Sequence, residues 1–592
     1  MCRIAGFASL ENVTQREEVL SSMLNAVVHG GPDDFGTYFD EKVAIGHRRL
    51  AIIDLSPAGH QPMFLDDDLI ISYNGEIYNY QELKAELSAV GIIFKTHSDT
   101  EVILQSYRHW GTKAFDRFEG IFAFALYDKR SSKLLLVRDH VGVKPLYYHI
   151  KDRVLVFGSE VRVFHQFNKN WRGDEKWKIL FLAFGSIPHP YTTLENVYQL
   201  DAGAFMEINI DDFSHEVHFY SHSGRETANI SSGNELSDVK DALIATIKKN
   251  LIADAPLGVF LSGGIDSSLI TLLADEFKQG IKTLSINFDE ATFDESPYQK
   301  QVVAKAKNVV HTSYRINEQI FWEDLPDIWR AMDQPTIDGV NSYFVSRCAH
   351  SEGLKAVLSG LGADEIFGGY ASFKRVKWIR RIRKLPFKRT IAKLLKYWRS
   401  AYGRLTFLTI AGPIGDYLFL RGIHTPDVIA KILAIPEHKV WSALKEVKVG
   451  IPDKLDDRAY VSALESRIYM TNQLLKDTDC MSMWHALEAR VPFLDIRLIR
   501  LMESIPVKKR YNEKVPKYLL TTCIPGLLPR DIIYRKKNGF TFPISVWLKN
   551  KPEYVRDLID INVASQGIID GFEKGDDHWS RCWSLAVLKQ FK

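Results

Sequence analysis

The spacing of apolar residues changes once along this chain of 592 residues. From Ile4 to about Ile208, short alternating apolar runs such as 69–73 are separated by Asn-Gly, Gly-Pro and Asp-Asp turn signals, which predicts many short strands. Further on, apolar strands alternate with longer helical patterns, which predicts βαβ units around a parallel sheet. We therefore expect two domains, an α+β domain followed by an α/β domain.

A polar stretch separates these two patterns. Residues 221–238 are rich in Ser, Gly, Asn and Glu and contain few apolar side chains, as is typical of a linker. We place the first domain at residues 1–210, the linker at 211–238 and the second domain at 239–592. The length allows two to four domains at roughly 100–200 residues each.

The composition excludes several classes of protein. A charged fraction of 25% with 46% hydrophobic residues is that of a globular enzyme, and a net charge of +3 predicts no nucleic-acid partner. The five cysteines are scattered without CxxC spacing, which argues against a disulfide framework or a zinc site. Because neither a secretory leader nor a bilayer-spanning run is evident, we expect a cytoplasmic protein with reduced thiols.

Cys2 directly follows the initiator methionine. Removal of Met1 leaves a cysteine with both a thiol and a free α-amine. An amine that titrates near ~7.7–8.0 can take the proton of a thiol that titrates near ~8.5, so this residue supplies its own nucleophile and base. The alternative is an ordinary N-terminal cysteine.

A cysteine that attacks an amide needs hydrogen-bond donors for the oxyanion and a grip on the amino acid. The Asn74-Gly75 pair predicts a turn at the end of a strand, where the Asn74 side chain and the Gly75 N–H can donate to one oxygen. Arg49 can bind an α-carboxylate and Asp99 an α-ammonium. A hairpin turn and surface ion pairs are the structural alternatives.

Several motifs of the first half occur together: GHRRLAIIDLS, GHQPM, YNGEIYN, SDTE, FAFALYD and GVKPLYY. Their order and spacing resemble the class II glutamine amidotransferase domain, an N-terminal-nucleophile hydrolase with an αββα sandwich. The resemblance implies Cys2 as the nucleophile and Asn74 and Gly75 as the oxyanion hole. The implied glutamine pocket contains Arg49, Ile52, Ile53, Glu76 and Asp99.

Two positions depart from that family pattern. Arg3 stands where the family usually has glycine after the nucleophile, and Gly30 stands where it usually has an arginine. Neither change removes an implied catalytic group, but loss of an arginine beside the pocket is expected to loosen the cover over bound glutamine.

A glycine-rich loop opens the second half. Residues 262–268, SGGIDSS, follow an apolar strand and precede a helix, so successive N–H groups can bind phosphate, and no Walker lysine is present. A second strand-turn unit, 357–370, places Asp364 beside Asp266 at adjacent strand ends, and two carboxylates suit Mg²⁺. A structural turn and helix N-caps are the alternatives.

With the strings around 488–495, 514–520 and 535–540, the whole chain resembles glutamine-hydrolysing asparagine synthetases. This implies an adenine-nucleotide α-hydrolase-like second domain, with ATP and Mg²⁺ as cofactors and ATP cleaved to AMP and pyrophosphate. Lys517 is implied to stabilise charge at the reacting centre, although a surface lysine is the alternative. Implied ATP-binding residues are Leu261, Ser262, Gly263, Gly264, Asp266, Ser267, Ser268, Ser359 and Gly360, and Asp266 and Asp364 are the implied metal ligands.

The acceptor is the open part of this prediction. Glutamine, ATP and a carboxylate are the expected partners, with aspartate as the leading acceptor and a uronic acid of a surface polysaccharide as the alternative. Leu361 stands where the family often has an acidic residue, a candidate base for ammonia, and Cys480 stands where an arginine often follows aspartate. A scaffolding protein with an inactive glutaminase is disfavoured by the intact Cys2 set.

Residues 374–399 carry many lysines and arginines and no acidic residue. Apolar residues near helical spacing predict two short amphipathic helices around Pro386. We expect either a solvated insertion or contact with a membrane surface or an anionic carrier of the acceptor. The oligomeric state stays open, with a homodimer as one alternative.

Overall fold

The computed structural model of the protein describes residues 2–591 except 11, 12, 14, 221–232, 384, 385, 389, 393–399, 453, 537, 538 and 540. In chain order the strands are β1 Arg3–Ser9, β2 Asp34–Phe39, β3 Val43–Arg49, β4 Met63–Leu65, β5 Leu69–Ile77, β6 Gly120–Asp128, β7 Lys133–Arg138, β8 Tyr147–Lys151, β9 Val154–Gly158, β10 Tyr198–Gln199, β11 Ala204–Asn209, β12 His215–Phe219, β13 Leu257–Phe260, β14 Lys282–Asn287, β15 Val310–Arg315, β16 Ala356–Leu358 and β17 Glu488–Arg490.

Two six-stranded antiparallel sheets form the first half, with strand orders β10-β8-β9-β1-β3-β2 and β12-β11-β7-β6-β5-β4. Apolar side chains from both sheets, including Ile4, Ile45 and Leu136, form one core cluster between them. Helix Arg16–Asn25 packs on the outer face of the first sheet and helix Asp99–Trp110 on that of the second. These four layers confirm the predicted αββα sandwich.

The second half is built around a five-stranded parallel sheet of order β15-β14-β13-β16-β17. The central neighbours β13 and β16 pair in register, for example Val259 with Leu358, so the loops after both strands emerge at the same edge. This confirms the predicted parallel sheet and places the two glycine-rich segments side by side.

Helices surround the sheets. In chain order they are Arg16–Asn25, Tyr80–Ala89, Asp99–Trp110, Arg162–Phe167, Lys176–Phe184, Glu235–Asn250, Ile265–Phe277, Ser296–Lys305, Glu318–Ala331, Val340–Ser351, Ala363–Phe367, Ser372–Arg383, Pro413–Arg421, Pro426–Leu433, Glu437–Glu446, Asp457–Leu464, Leu475–Trp484, Ile496–Ser504, Val507–Arg510, Tyr518–Thr522, Arg530–Tyr534, Ile544–Asn550, Pro552–Asp557, Val563–Lys574 and Trp579–Gln590. A π-helical segment, Glu465–Leu474, leads directly into Leu475–Trp484.

The two halves share an apolar interface. One core cluster contains Leu50 and Tyr78 from the first half together with Leu257 and Phe493 from the second. Burial of this apolar area favours a fixed arrangement of the two halves, because separating them would return it to water.

The predicted linker range, 211–238, contains regular structure at both ends. Strand β12 pairs with β11, and helix Glu235–Asn250 begins before residue 238, while 221–232 lie outside the described residues. The exact domain limits therefore stay a prediction. Over the part of the chain that the structure describes, no helix is long and apolar enough to span a bilayer.

The basic segment is described in part. Residues 384, 385, 389 and 393–399 lie outside the description, so the second predicted amphipathic helix is not available to test. The first is present as Ser372–Arg383, with Val376 and Ile379 buried in the core and Trp378 half-exposed.

Candidate active sites

Cys2 immediately precedes β1, which lies between β9 and β3 in the first sheet. Its backbone N–H donates to Asn74 Oδ1 at 3.1 Å, and its Sγ lies 4.0 Å from the carbonyl oxygen of Leu50. Burial raises the pKa of the Cys2 thiol, and the neighbouring Glu76 carboxylate adds to that rise. A buried thiol of this kind needs a nearby base to become a thiolate.

Asn74 and Gly75 do not form a turn, so that part of the sequence interpretation is wrong. They lie inside the nine-residue strand Leu69–Ile77, opposite Ala123 and Phe122 of β6. Gly75 has φ +154°, and a Cβ there would lie 2.2 Å from the carbonyl oxygen of Ile121. An Asn-Gly pair predicts a turn because glycine permits positive φ. Here the same freedom, and the absence of a side chain, allow the backbone of the paired strand β6 to approach closely.

The Asn74 side chain is well placed for an oxyanion. Its Oδ1 accepts from the Cys2 N–H, so the amide group lies next to Cys2. Among the described residues, Asn74 Nδ2 has no hydrogen-bond partner although it is buried. A buried donor left unpaired is costly, so a ligand oxygen that accepts from it is strongly favoured.

Arg49, Ile52 and Ile53 lie at the end of β3 and in the loop that follows it. Arg49 Nη1 donates to the Ser56 carbonyl at 3.0 Å, and Nη2 donates to the Asp54 carbonyl. These bonds hold the guanidinium beside its own loop. The carbonyl of Ile52 accepts the N–H groups of residues 254 and 255 of the second half.

Asp99 and Glu76 complete the predicted glutamine pocket. Asp99 Oδ2 accepts from the Tyr73 hydroxyl at 2.8 Å and from the Ile77 N–H at 3.0 Å, and burial raises the pKa of Asp99 to about 6. Burial, followed by repulsion from the Glu488 carboxylate, raises the pKa of Glu76 well above its usual range. Glu76 Oε1 lies 3.9 Å from Arg490 Nη2 of the second half.

The second site lies at the carboxyl edge of the parallel sheet. Ser262 follows β13; its N–H donates to Ser267 Oγ at 3.1 Å, and its hydroxyl lies 3.4 Å from the Gly264 N–H. Gly263 has φ +74°, a backbone conformation that glycine adopts without strain. Helix Ile265–Phe277 begins here, with its first N–H groups facing a cavity of about 1310 Å³.

Asp266, Asp364 and Lys517 meet in this cavity. Lys517 Nζ lies 2.6 Å from Asp266 Oδ1 and 2.7 Å from Asp364 Oδ1. Burial lowers the pKa of Lys517, but the two carboxylates outweigh it and hold that pKa above its ordinary value. The N-cap positions of the two helices are Gly264 and Gly362, so the aspartates are not N-caps.

The carboxylates fit Mg²⁺. Hard oxygen ligands in a cavity that also contains a phosphate-binding loop match a cation that keeps several waters and shares phosphate oxygens. In the described part of the chain, no group of three or more His, Cys, Asp or Glu side chains is arranged to hold a metal.

The remaining predicted ATP-site residues divide into two groups. The cavity is lined by Leu261, Ser262, Gly264, Asp266, Ser267, Ser359 and Gly360. Gly263 and Ser268 do not line it; Ser268 is fully buried, and its N–H bonds within the helix to the Gly264 carbonyl. Ser268 therefore contributes to the packing at the start of the helix and not to the cavity wall.

Sequence reasoning missed other parts of the cavity wall. Arg535, whose Nη2 lies 2.6 Å from Glu295 Oε1, lines the cavity beside the phosphate loop. Phe373 and residues 374–378 of the basic segment also line it, as does Leu361. The positive charge of 374–378 predicted an anionic partner but gave no signal that these residues would line the same cavity as the glycine-rich loop.

Comparisons with known proteins agree over both halves. A family model described as a glutamine amidotransferase domain matches residues 1–220, and one described as asparagine synthase matches residues 238–581. Asparagine synthetase [glutamine-hydrolyzing] 1 of Bacillus subtilis is 31% identical over 581 residues, covering 94% of this chain and 90% of that protein.

Two further relatives differ in coverage and in name. Putative asparagine synthetase [glutamine-hydrolyzing] 2 of Methanocaldococcus jannaschii is 35% identical over 430 residues, which cover 68% of this chain and 82% of the relative. Amidase chry2 of Gibberella zeae is 27% identical over 610 residues, covering 93% and 89%.

Proposed function

This chain belongs to the glutamine-hydrolysing asparagine synthetase family, a group of ATP-dependent carbon–nitrogen ligases, and we propose that Cys2 releases ammonia from glutamine. The protein then transfers this ammonia to an adenylated carboxylate. Aspartate is the leading acceptor and asparagine the product. The observation that supports this proposal is the contact of Cys2 with Asn74 in the first half and of Lys517 with Asp266 and Asp364 in the second.

In the first site, the Cys2 thiolate attacks the side-chain amide carbon of glutamine. Asn74 Nδ2, unpaired among the described residues, is available to donate to the oxyanion, and the α-amine of the processed Cys2 returns the thiol proton to the leaving nitrogen. Ammonia leaves, a thioester remains, and water hydrolyses it to glutamate. Met1 lies outside the described residues.

In the second site, a carboxylate oxygen of the acceptor attacks the α-phosphorus of ATP, and pyrophosphate leaves. The N–H groups at the start of helix Ile265–Phe277 and the Lys517 ammonium stabilise the phosphate charge. Asp266 and Asp364 would hold Mg²⁺, which neutralises phosphate charge when bound. Ammonia then attacks the acyl carbon, loses a proton and displaces AMP.

Ammonia has to pass between the sites. A small cavity between the two halves is lined by Ser159 and Glu160 of the first half and by Asp477 and Cys480 of the second. Asp477 lines the large cavity as well. This shared residue supports a route for ammonia along the domain interface.

The alternative acceptor is a larger carboxylate, for example a uronic acid. Leu361 lines the large cavity and cannot accept a proton from ammonia, and Lys374 and Lys377 line the same cavity. The cavity of about 1310 Å³ is above the usual range of about 300–1,000 Å³ for a single-ligand pocket, as expected where ATP and an acceptor bind together. The basic residues support an anionic acceptor or carrier.

Product analysis tests the assignment. The protein is incubated with glutamine, ATP, Mg²⁺ and a panel of carboxylates including aspartate and glucuronate, and the products are identified by mass spectrometry. Asparagine with AMP and pyrophosphate supports the leading proposal. An amide formed only from another carboxylate replaces aspartate with that acceptor, and ADP with phosphate refutes the ATP chemistry.

A further inference from the structure

Arg3 directly follows the nucleophile in the chain and is fully buried. Its Nε lies 2.7 Å from Glu160 Oε1 in the first half, and its Nη1 lies 2.7 Å from Asp479 Oδ2 in the second half. One side chain therefore joins the strand that carries Cys2 to the synthetase half. The pair with Asp479 spans 476 positions of sequence.

The space that Arg3 occupies is available because residue 30 is glycine. A Cβ on Gly30 would lie 2.6 Å from Arg3 Cγ, closer than packed atoms allow. Arg3 is also within electrostatic reach of Cys480. Three of the four positions at which this chain departs from the family pattern, 3, 30 and 480, thus lie close together, with Arg3 next to both of the others.

Asp479 lies on helix Leu475–Trp484 and forms a second ion pair, with Lys144, whose Nζ lies 2.6 Å from its Oδ1. Burial raises the pKa of Asp479, but Arg3 and Lys144 outweigh it and hold that pKa below its usual value. Asp477 and Thr478 of the same helix line the nucleotide cavity. The helix therefore contacts both the nucleotide cavity and the strand of the nucleophile.

We propose that Arg3 is a positioning residue that couples the two active sites. Its ion pair with Asp479 makes the position of Cys2 depend on the position of helix Leu475–Trp484. The proposal rests on the assignment of Cys2 as the glutaminase nucleophile. A buried ion pair suits this role because breaking it leaves an uncompensated charge, so the strand and the helix move together. Only one peptide bond separates Arg3 from Cys2.

A double-mutant cycle tests the coupling, using the full-length protein with glutamine, ATP, Mg²⁺ and the acceptor found in the product assay. Arg3→Met, Asp479→Asn and the double variant are compared for glutamine-dependent and ammonium-dependent synthesis. We expect Arg3→Met to lower the glutamine-dependent rate about 10-fold or more and to leave the ammonium-dependent rate nearly unchanged. The double variant should lose less than the sum of the two single losses, because each single substitution already removes the shared Arg3–Asp479 pair.

Two further variants separate positioning from folding. Lys42→Met breaks an exposed ion pair with Asp211 in the same half and should leave both rates unchanged. Arg3→Gly combined with Gly30→Arg returns the guanidinium to position 30 and should recover part of the glutamine-dependent rate that Arg3→Gly alone loses.

The possible failures are distinguishable. Equal loss of both rates in Arg3→Met, or an additive double variant, overturns the coupling while the function stands. An unchanged glutamine-dependent rate in Arg3→Met would likewise overturn the coupling and leave the proposed function standing. Glutaminase activity that survives in Cys2→Ala removes the nucleophile assignment, and the coupling proposal falls with it.

Discussion

The Nζ of Lys517 lies 2.5 Å from a carboxylate oxygen of Asp266, 251 residues earlier in the chain. Lys517 has φ +46°, an unusual backbone conformation for a residue with a side chain, and it directly precedes helix Tyr518–Thr522. The ammonium lies between the phosphate loop and Asp364. The two carboxylates hold the Lys517 ammonium charged and in place, and we propose that ATP phosphates compete with them for this cation when the nucleotide binds.

Replacing the nucleophile separates the two reactions. Cys2→Ala should abolish glutamine-dependent synthesis and leave synthesis from ammonium salts near the wild-type rate, because the second cavity does not include Cys2. Glutamate release and amide formation are measured in parallel. The wild-type protein should also lack Met1 by intact mass; an N-terminus that retains Met1 in active protein would contradict the α-amine as base.

Neutralising either aspartate of the second site should slow synthesis severely. Asp266→Asn and Asp364→Asn remove a carboxylate from the proposed Mg²⁺ site and one partner of Lys517, and we expect losses of about 100-fold or more in kcat. Glutamine hydrolysis by Cys2 serves as the control for folding. The Mg²⁺ concentration giving half-maximal rate should rise in both variants. An unchanged Mg²⁺ requirement would mean that these aspartates do not bind the metal.

Glutamine hydrolysis should weaken at acidic pH. Burial raises the pKa of Asp99 to about 6, so its carboxyl group is neutral below that pH and charged above it. Because only the charged form attracts the α-ammonium of glutamine, kcat/KM for glutamine should fall as the pH drops through about 6. Asp99→Asn should lower kcat/KM for glutamine above about pH 6, where the wild-type carboxyl group is charged, and should remove this decrease at acidic pH. If the decrease in kcat/KM at acidic pH persists in the variant, it arises from the titration of another group.

Restoring an acidic residue at position 361 tests the acceptor. Leu361 lines the nucleotide cavity, and Leu361→Glu supplies a carboxylate able to take a proton from ammonia. We expect a higher kcat/KM for aspartate if the leucine limits that reaction. Leu361→Gln, which has a similar shape and no basic carboxylate, is the matched control. An equal effect of both substitutions would assign the change to packing.

Gly75 should not tolerate a side chain. In Gly75→Ala the added Cβ meets the backbone of Ile121 at 2.2 Å, and we expect a loss of about 1–3 kcal/mol of stability together with glutaminase activity. Gly91→Ala is the control, since Gly91 also has positive φ but nothing within 4 Å of its Cβ. Thermal unfolding compares the two variants. Equal shifts in Tm would mean that backbone strain, and not the contact, sets the cost.

Local patterns predicted much of the fold. Alternating apolar runs predicted strands such as Leu69–Ile77, and the strand-loop-helix pattern around 259–277 predicted a parallel sheet, because both depend on side-chain periodicity over a few residues. The strand predicted from the run 69–73 extends four residues further, to Ile77. Asn74-Gly75 was misread because a short motif does not show whether glycine turns the chain or makes room for a neighbouring strand.

The sequence by itself determined the family and predicted the reacting groups: Cys2, the SGGIDSS loop, Asp266, Asp364 and Lys517 are recognisable from residue types and order. Tertiary structure alone decided which of them touch and how the halves connect. The contact of Arg3 with Gly30 and Asp479, and the place of residues 373–378 in the cavity wall, depend on packing between segments distant in sequence. Such contacts leave no local periodicity, because the partner's position is set by the whole fold.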